Sequence, residues 1–117
     1  MRAIRGAITV SENTRAAIAE ATQTLLAELV RRNDLRIEEV VSIFFSVTPD
    51  LNADFPARAA RGMGWDVPML DMQEMDVPGA LPRCLRVLIH LERDGPVRHA
   101  YLREAFDLRP DIEGGAT

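Results

Sequence analysis

Lysine is absent from these 117 residues, cysteine, tryptophan and tyrosine occur once each, and histidine occurs twice. The lone Cys84 excludes an internal disulfide framework and any cysteine-rich zinc site. His90 and His99 leave little material for a metal centre. No apolar run approaches the ~20 residues that span a bilayer. The opening Met1-Arg2-Ala3-Ile4-Arg5 lacks the long apolar stretch of a signal peptide. The expectation is a cytoplasmic protein with no membrane partner. Repeats, low-complexity blocks and linkers are missing as well, so the length predicts one domain over residues 1–117, inside the usual range of about 100–200 residues. Such a chain buries roughly two-thirds of its unfolded surface and needs no covalent staples. A hydrophobic share of 47% and a charged share of 27% argue against disorder.

All 14 basic residues are arginine. Codon bias in a GC-rich genome is the ordinary account of that. Its chemical consequence is that every cation is a planar, permanently charged fork suited to carboxylate or phosphate. The formal net charge of −4 argues against a nucleic-acid partner. An acidic protein with a few arginines at apolar positions can still bind a small anion.

Hydrophobic periodicity supplies the elements. Residues Ala3 to Val10 read as a strand with Ile4, Ile8 and Val10 on one face and Arg5, Ala7 and Thr9 on the other. Ser11-Glu12-Asn13-Thr14 offers N-caps for a helix from Arg15 to Arg32, with an apolar stripe of Ile18, Ala21, Leu25 and Leu29. Arg36 to Glu39 predicts a short turn, and the apolar run from Val40 to Val47 a buried strand. Phe55 to Arg61, with proline in its first turn, predicts a short helix ended by Gly62 and Gly64. Pro68 marks Val67 to Asp71 as an edge strand. Cys84 to Arg93 alternates, with Leu85, Val87, Ile89 and Leu91 facing one way and Cys84, Arg86, Leu88 and His90 the other. Asp94-Gly95-Pro96 predicts a hairpin, Val97 to Leu102 its return strand, and the chain beyond Asp111 a loose tail. The order is β-α-β-α-β-β-β, an α+β domain in which a mixed β-sheet packs with helices.

Nucleophile triads, a P-loop and a dinucleotide fingerprint are all missing. His90 and His99 fall on strands read as apposed, but no other ligands cluster there, so they are expected to be ordinary sheet histidines with no metal. Arg86 stands out, because a mid-strand arginine within Leu85-Arg86-Val87-Leu88-Ile89 costs free energy unless it is exposed, paired or set in a pocket wall. Arg5 is also mid-strand, and Gly6 beside it permits a close backbone approach. Glu74 lies in the polar stretch Met72-Gln73-Glu74-Met75-Asp76, and Tyr101 suits either core or pocket. Together they suggest an anion pocket that contains a carboxylate.

Six blocks then carry a resemblance. They are Ile4-Arg5-Gly6-Ala7-Ile8-Thr9-Val10; Thr48-Pro49-Asp50-Leu51; Phe55-Pro56-Ala57-Arg58-Ala59; Met72-Gln73-Glu74-Met75-Asp76-Val77; Cys84-Leu85-Arg86-Val87; and Arg98-His99-Ala100-Tyr101-Leu102 with Leu108-Arg109-Pro110-Asp111. In this order and spacing the chain resembles the monofunctional chorismate mutases of the trimeric, pseudo-α/β-barrel bacterial class, from Arg5 to about Asp111. It does not resemble the all-helical class.

The resemblance implies a homotrimer with active sites at subunit interfaces, chorismate as substrate, no cofactor, and conversion to prephenate by a pericyclic rearrangement on the route to phenylalanine and tyrosine. It implies that Arg86 donates to the ether oxygen and that Glu74 meets the substrate hydroxyl and orients Arg86. Arg5 and Tyr101 match positions that hold a substrate carboxylate. Phe55 and Ala57 match the pocket wall, Arg58 and Arg61 its cationic mouth, and Leu108 and Arg109 a C-terminal segment approaching the site. Asp71 departs from the pattern, standing where a relative has a small thiol or hydroxyl residue touching the substrate hydroxyl, and the resemblance implies that it too lines the substrate site. It is expected within reach of Glu74, sharing a proton with it. The rival readings are a non-catalytic trimeric small-anion-binding protein and a regulatory subunit on the same scaffold. The combination of Arg86, Glu74 and Tyr101 favours the enzyme.

Overall fold

The computed structural model describes residues 1–108. Arg109 and the expected loose tail lie outside them. Strand β1 (Arg2–Thr9) is followed by helix α1 (Arg15–Asn33). The Thr14 side chain accepts from the Ala17 amide at 3.1 Å and so selects the helix start among the four candidate caps. Asp34, at φ 46°, ends the helix in the left-handed region. Then come a 3₁₀ turn (Ile37–Glu39), β2 (Val40–Val47), α2 (Pro56–Gly62), β3 (Met69–Gln73), β4 (Cys84–Leu91), β5 (Ala100–Leu102) and a second 3₁₀ segment (Arg103–Leu108).

The five strands form one mixed sheet in the order β3-β2-β4-β1-β5. β4 runs antiparallel to both of its neighbours, β1 and β2, while β3 pairs parallel to β2 and β5 parallel to β1. The alternation read from the sequence holds through this register. Ile4 and Ile8 of β1, Ile43 and Phe45 of β2, and Leu85, Val87 and Ile89 of β4 are buried with Ile18, Leu25 and Leu29 of α1. Gly6 lies in this layer, where a Cβ would come within 3.0 Å of Leu25 Cδ1 and 3.1 Å of Leu29 Cδ1 and Val87 Cγ1. The close approach that Gly6 permits is therefore that of α1 to the sheet.

One predicted connection is corrected. Val97 to Leu102 does not return as a hairpin beside β4, because both edges of β4 are already taken by β1 and β2. The chain instead crosses to the free edge of β1, and only Ala100–Leu102 is strand. The crossing is tied to the end of α1. Arg93 donates to the Asn33 carbonyl at 2.7 Å, and the Asn33 side chain bonds both the amide and the carbonyl of Arg98. With β1 interposed, His90 and His99 are not apposed. His90 contacts Ser42 and Phe44 on β2, and His99 Nδ1 accepts from the Arg5 amide at 2.9 Å. Among the described residues no helix is long and apolar enough to cross a membrane.

Candidate active site

The helices cover one face of the sheet. The other face carries the second set of alternating positions: Arg5 and Ala7 on β1, Arg86 and Leu88 on β4, Phe44 and Ser46 on β2, Met72 on β3 and Tyr101 on β5. All of these but Ala7 line a recess of about 370 Å³. Its polar centre is Glu74, just past β3. The Glu74 amide donates to the Val47 carbonyl at 2.7 Å, which carries the side chain back over β2. There Glu74 Oε2 accepts from Ser46 Oγ at 3.1 Å and pairs with Arg86 Nε at 3.2 Å. Arg86 is thus held by a carboxylate while its side chain remains 46% exposed toward the recess. Cys84, two residues before Arg86 on the same face, is buried. Burial pushes its thiol pKa up, and the neighbouring Arg86 works against that shift.

Arg5 lies on the same floor. The bond from its amide to His99 Nδ1 requires that nitrogen to be unprotonated. Its guanidinium makes no hydrogen bond or ion pair with another described residue and is free to take an anion. Tyr101 is 5% exposed and packs with Ala7, Cys84 and Ala105, with Leu81 and Leu108 against the same cluster. Leu108 packs against the cluster that holds Tyr101 but does not itself line the recess. Arg109 lies outside the described residues.

The remaining candidates sit elsewhere. Phe55, Arg58 and Asp71 border a second recess of about 390 Å³ beside the start of α2, where Met72 lines both hollows. Ala57 is buried under this helix, and Arg61 is exposed on it. Arg58 stacks over Phe55, 6.0 Å from ring centroid to guanidinium carbon, and pairs with Asp54 at 3.0 Å. Asp71 does not share the first recess with Glu74. The pleat of β3 turns it to the helix-covered face opposite Phe45, while Met72 next to it faces Ser46 and Arg86. Its pKa is raised chiefly by burial, against a hydrogen bond from the Ala57 amide and the charge of Arg61, with Asp54 adding to the rise. Within one chain, the expected proton sharing between Asp71 and Glu74 is not found.

Sequence reasoning missed Ser46, Met72 and Asp54. Ser46 had a signal, as a hydroxyl within an apolar strand at the same parity as Phe44. Asp54 had only a weak one, an acid four residues before Arg58 at the start of the predicted helix. Its near-complete burial between Arg15 and Arg58 is a tertiary fact.

Two guanidiniums, one carboxylate and a phenol surround an apolar hollow, a set of groups whose chemistry suits a small organic anion. The chain belongs to the chorismate mutase type I family, which it matches over residues 1–112. It is 50% identical to the chorismate mutase AroH of Thermus thermophilus over 118 positions, covering 97% of each chain. It is 44% identical to the chorismate mutase AroH of Bacillus subtilis (strain 168), covering 96% of this chain and 92% of that one. A solved chorismate mutase from Clostridium thermocellum superposes with a TM-score of 0.87 at 47% identity, over 90% of this chain and 97% of that one.

Proposed function

We infer that this chain is a chorismate mutase, an isomerase that rearranges chorismate to prephenate. The observation that carries the reading is the Arg86–Glu74 pair in the same recess as Arg5, in a chain that matches its family along nearly its whole length. The reaction is intramolecular: the ether carbon–oxygen bond breaks while a carbon–carbon bond forms within one molecule. No proton has to move, and no covalent intermediate with the protein is needed. The site has to hold the substrate in its compact reactive conformer and oppose the negative charge that grows on the ether oxygen.

In this reading Arg86 donates to that oxygen. A guanidinium prepositioned by Glu74 stabilises the transition state more than the ground state, because the charge it meets is only partly present in the substrate. Glu74 also meets the substrate hydroxyl. Arg5 takes a carboxylate, with Tyr101 beside the same group. Phe55, Ala57, Arg58 and Arg61 form the opposite wall and mouth, contributed by a neighbouring copy in a homotrimer. Asp71 belongs to that second part of the site, and Leu108 and Arg109 close the Tyr101 end.

The assembly is supported by apolar side chains left uncovered: Leu70 at 57% and Met72 at 45% exposure on the sheet face that the helices do not cover, and Phe55 at 57% at the start of α2. A patch of this kind marks an interface. The reading is tested by adding the purified chain to chorismate and following the loss of its absorbance. Enzyme-dependent loss with prephenate as the product supports it. Binding without turnover would favour the non-catalytic anion binder instead.

A further inference from the structure

Asp71 lies on an edge strand yet turns inward and is half-buried. A carboxylate in that position costs free energy unless it is satisfied. Helix α2 supplies the partner: the Ala57 amide donates to Asp71 Oδ1 at 3.0 Å. The helix needs this acceptor as much as the carboxylate needs the donor. Its N-cap is Phe55, whose side chain cannot accept, and Pro56 at the first position has no N–H. The Ala57 amide is therefore the first donor of the turn, and it is satisfied from across the fold. Asp54 holds the same turn from the other side. It accepts from the Phe55 amide at 2.8 Å and from Arg58 Nε at 3.0 Å, and it pairs with Arg15 of α1 at 3.3 Å. Phe55 and Arg58 are what this turn presents to the second recess. Their place depends on where the Ala57 amide is held.

We propose that Asp71 is a positioning residue for substrate binding: by accepting from the Ala57 amide it sets the first turn of α2, and with it Phe55 and Arg58. The proposal rests on reading the chain as a chorismate mutase. The charged groups facing the carboxylate are Arg61 from α2, which favours its ionised form, and Asp54 from the preceding loop, which opposes it. Its cross-strand partner on β2 is the uncharged Phe45, and Arg15 of α1 is engaged by Asp54. The ionised carboxylate is the stronger acceptor, so protonation loosens the turn. Wall and mouth residues bind ground state and transition state alike, so loosening them acts on KM and leaves kcat.

The first readout needs no variant. In a pH titration followed by amide NMR, the Ala57 amide should move with a carboxylate whose midpoint lies above the ordinary 3.8. The second is kinetic. Losing a cap of this kind should raise KM for chorismate about fivefold in Asp71→Ala, with kcat within about twofold, and Asp71→Asn, which keeps an acceptor oxygen, should recover most of the loss. Asp71→Ser, too short to reach the amide, should match alanine and replaces it if that variant does not fold. A flat Ala57 titration overturns the proposal. So does an equal KM for the alanine and asparagine variants, or a fall in kcat at unchanged KM. A wild-type chain without turnover would strike at the functional reading alone, since the amide titration decides on Asp71 without catalysis.

Discussion

Arg86 of β4 and Glu74 beyond β3 meet at 3.2 Å across the intervening strand β2, whose Ser46 donates to the same carboxylate oxygen. The guanidinium is therefore fixed by two strands that are not neighbours in the sheet, and its engaged atom is Nε, at the stem of the fork. Replacing Arg86 with alanine should lower kcat/KM by at least two to three powers of ten, since one prepositioned donor to a developing oxyanion stabilises the transition state by about 3–4 kcal/mol. Arg86→Lys should recover little, because a point ammonium cannot hold Glu74 and reach the ether oxygen together. Steady-state kinetics on chorismate check both, and near-wild-type turnover in Arg86→Ala would remove the residue from the mechanism.

Gly6 separates two effects of opposite sign. Alanine there reduces the freedom of the unfolded chain, worth about 0.4–1 kcal/mol in favour of folding. Its Cβ would also meet Leu25 and Leu29 from α1 and Val87 from β4 at 3.0–3.1 Å in a packed layer. Overpacking of that kind costs about 1–3 kcal/mol and outweighs the gain. Gly6→Ala should lower the midpoint of urea unfolding with little change in slope. An unchanged or higher midpoint would show that the two leucines yield without cost.

The same positions show what the sequence could and could not reveal. Alternation along β4 separated Leu85, Val87 and Ile89 from Arg86 and Leu88 because side-chain direction in a strand is a local property. The strand that lies beside β4 is not local. The turn signal at Asp94-Gly95-Pro96 fixed the direction of the returning chain but could not show that β1 intervenes. Arg5, Glu74, Arg86 and Tyr101 were legible as a group from the residues themselves, before the resemblance gave them roles, and a recess brings them together. Within one chain Asp71 lies on the face opposite Glu74, and the sequence could not show this because that face depends on the pairing of β3 with β2 opposite Phe45. Asp54 was only weakly legible: Arg58 is four residues on, but Arg15, which completes its contacts, is distant in sequence.

Arg93 and Glu39 form a two-pronged ion pair, with Nε to Oε2 at 3.0 Å and a terminal nitrogen to Oε1 at 2.7 Å, and the Arg36 amide also donates to Glu39. These contacts, the Arg93 bonds foremost, lower the Glu39 pKa from 4.5 to about 2. A carboxyl depressed in the folded state contributes its stability in full above the unfolded pKa, and that contribution fades as pH falls toward the folded value. The pair should therefore support the fold above about pH 4.5 and lose that support between about pH 4.5 and 2. Melting temperatures across this window should fall less steeply for Glu39→Gln than for wild type, with the two curves converging at the acid end. Parallel curves would mean that the pair adds nothing to the pH dependence.

The two recesses of one chain make the last prediction. If each active site joins the first recess of one copy to the second recess of its neighbour, a lesion in either recess disables a different half of a site. Arg86→Ala destroys the first and leaves the second, and Arg58→Ala damages the second and leaves the first. In a cyclic trimer every chain offers one recess to each neighbour. A site is intact when its first recess comes from the Arg58→Ala chain and its second from the Arg86→Ala chain. Random exchange of equal amounts gives about a quarter of the sites that combination, so the mixture should approach about one quarter of wild-type activity. Assayed at chorismate well below KM, where a KM lesion lowers the rate in full, each variant alone should stay below that level. Mixing after subunit exchange, with light scattering to establish the assembly, measures both. A monomer at working concentration, or a mixture no more active than the average of its parts, would show that the recesses act within one chain.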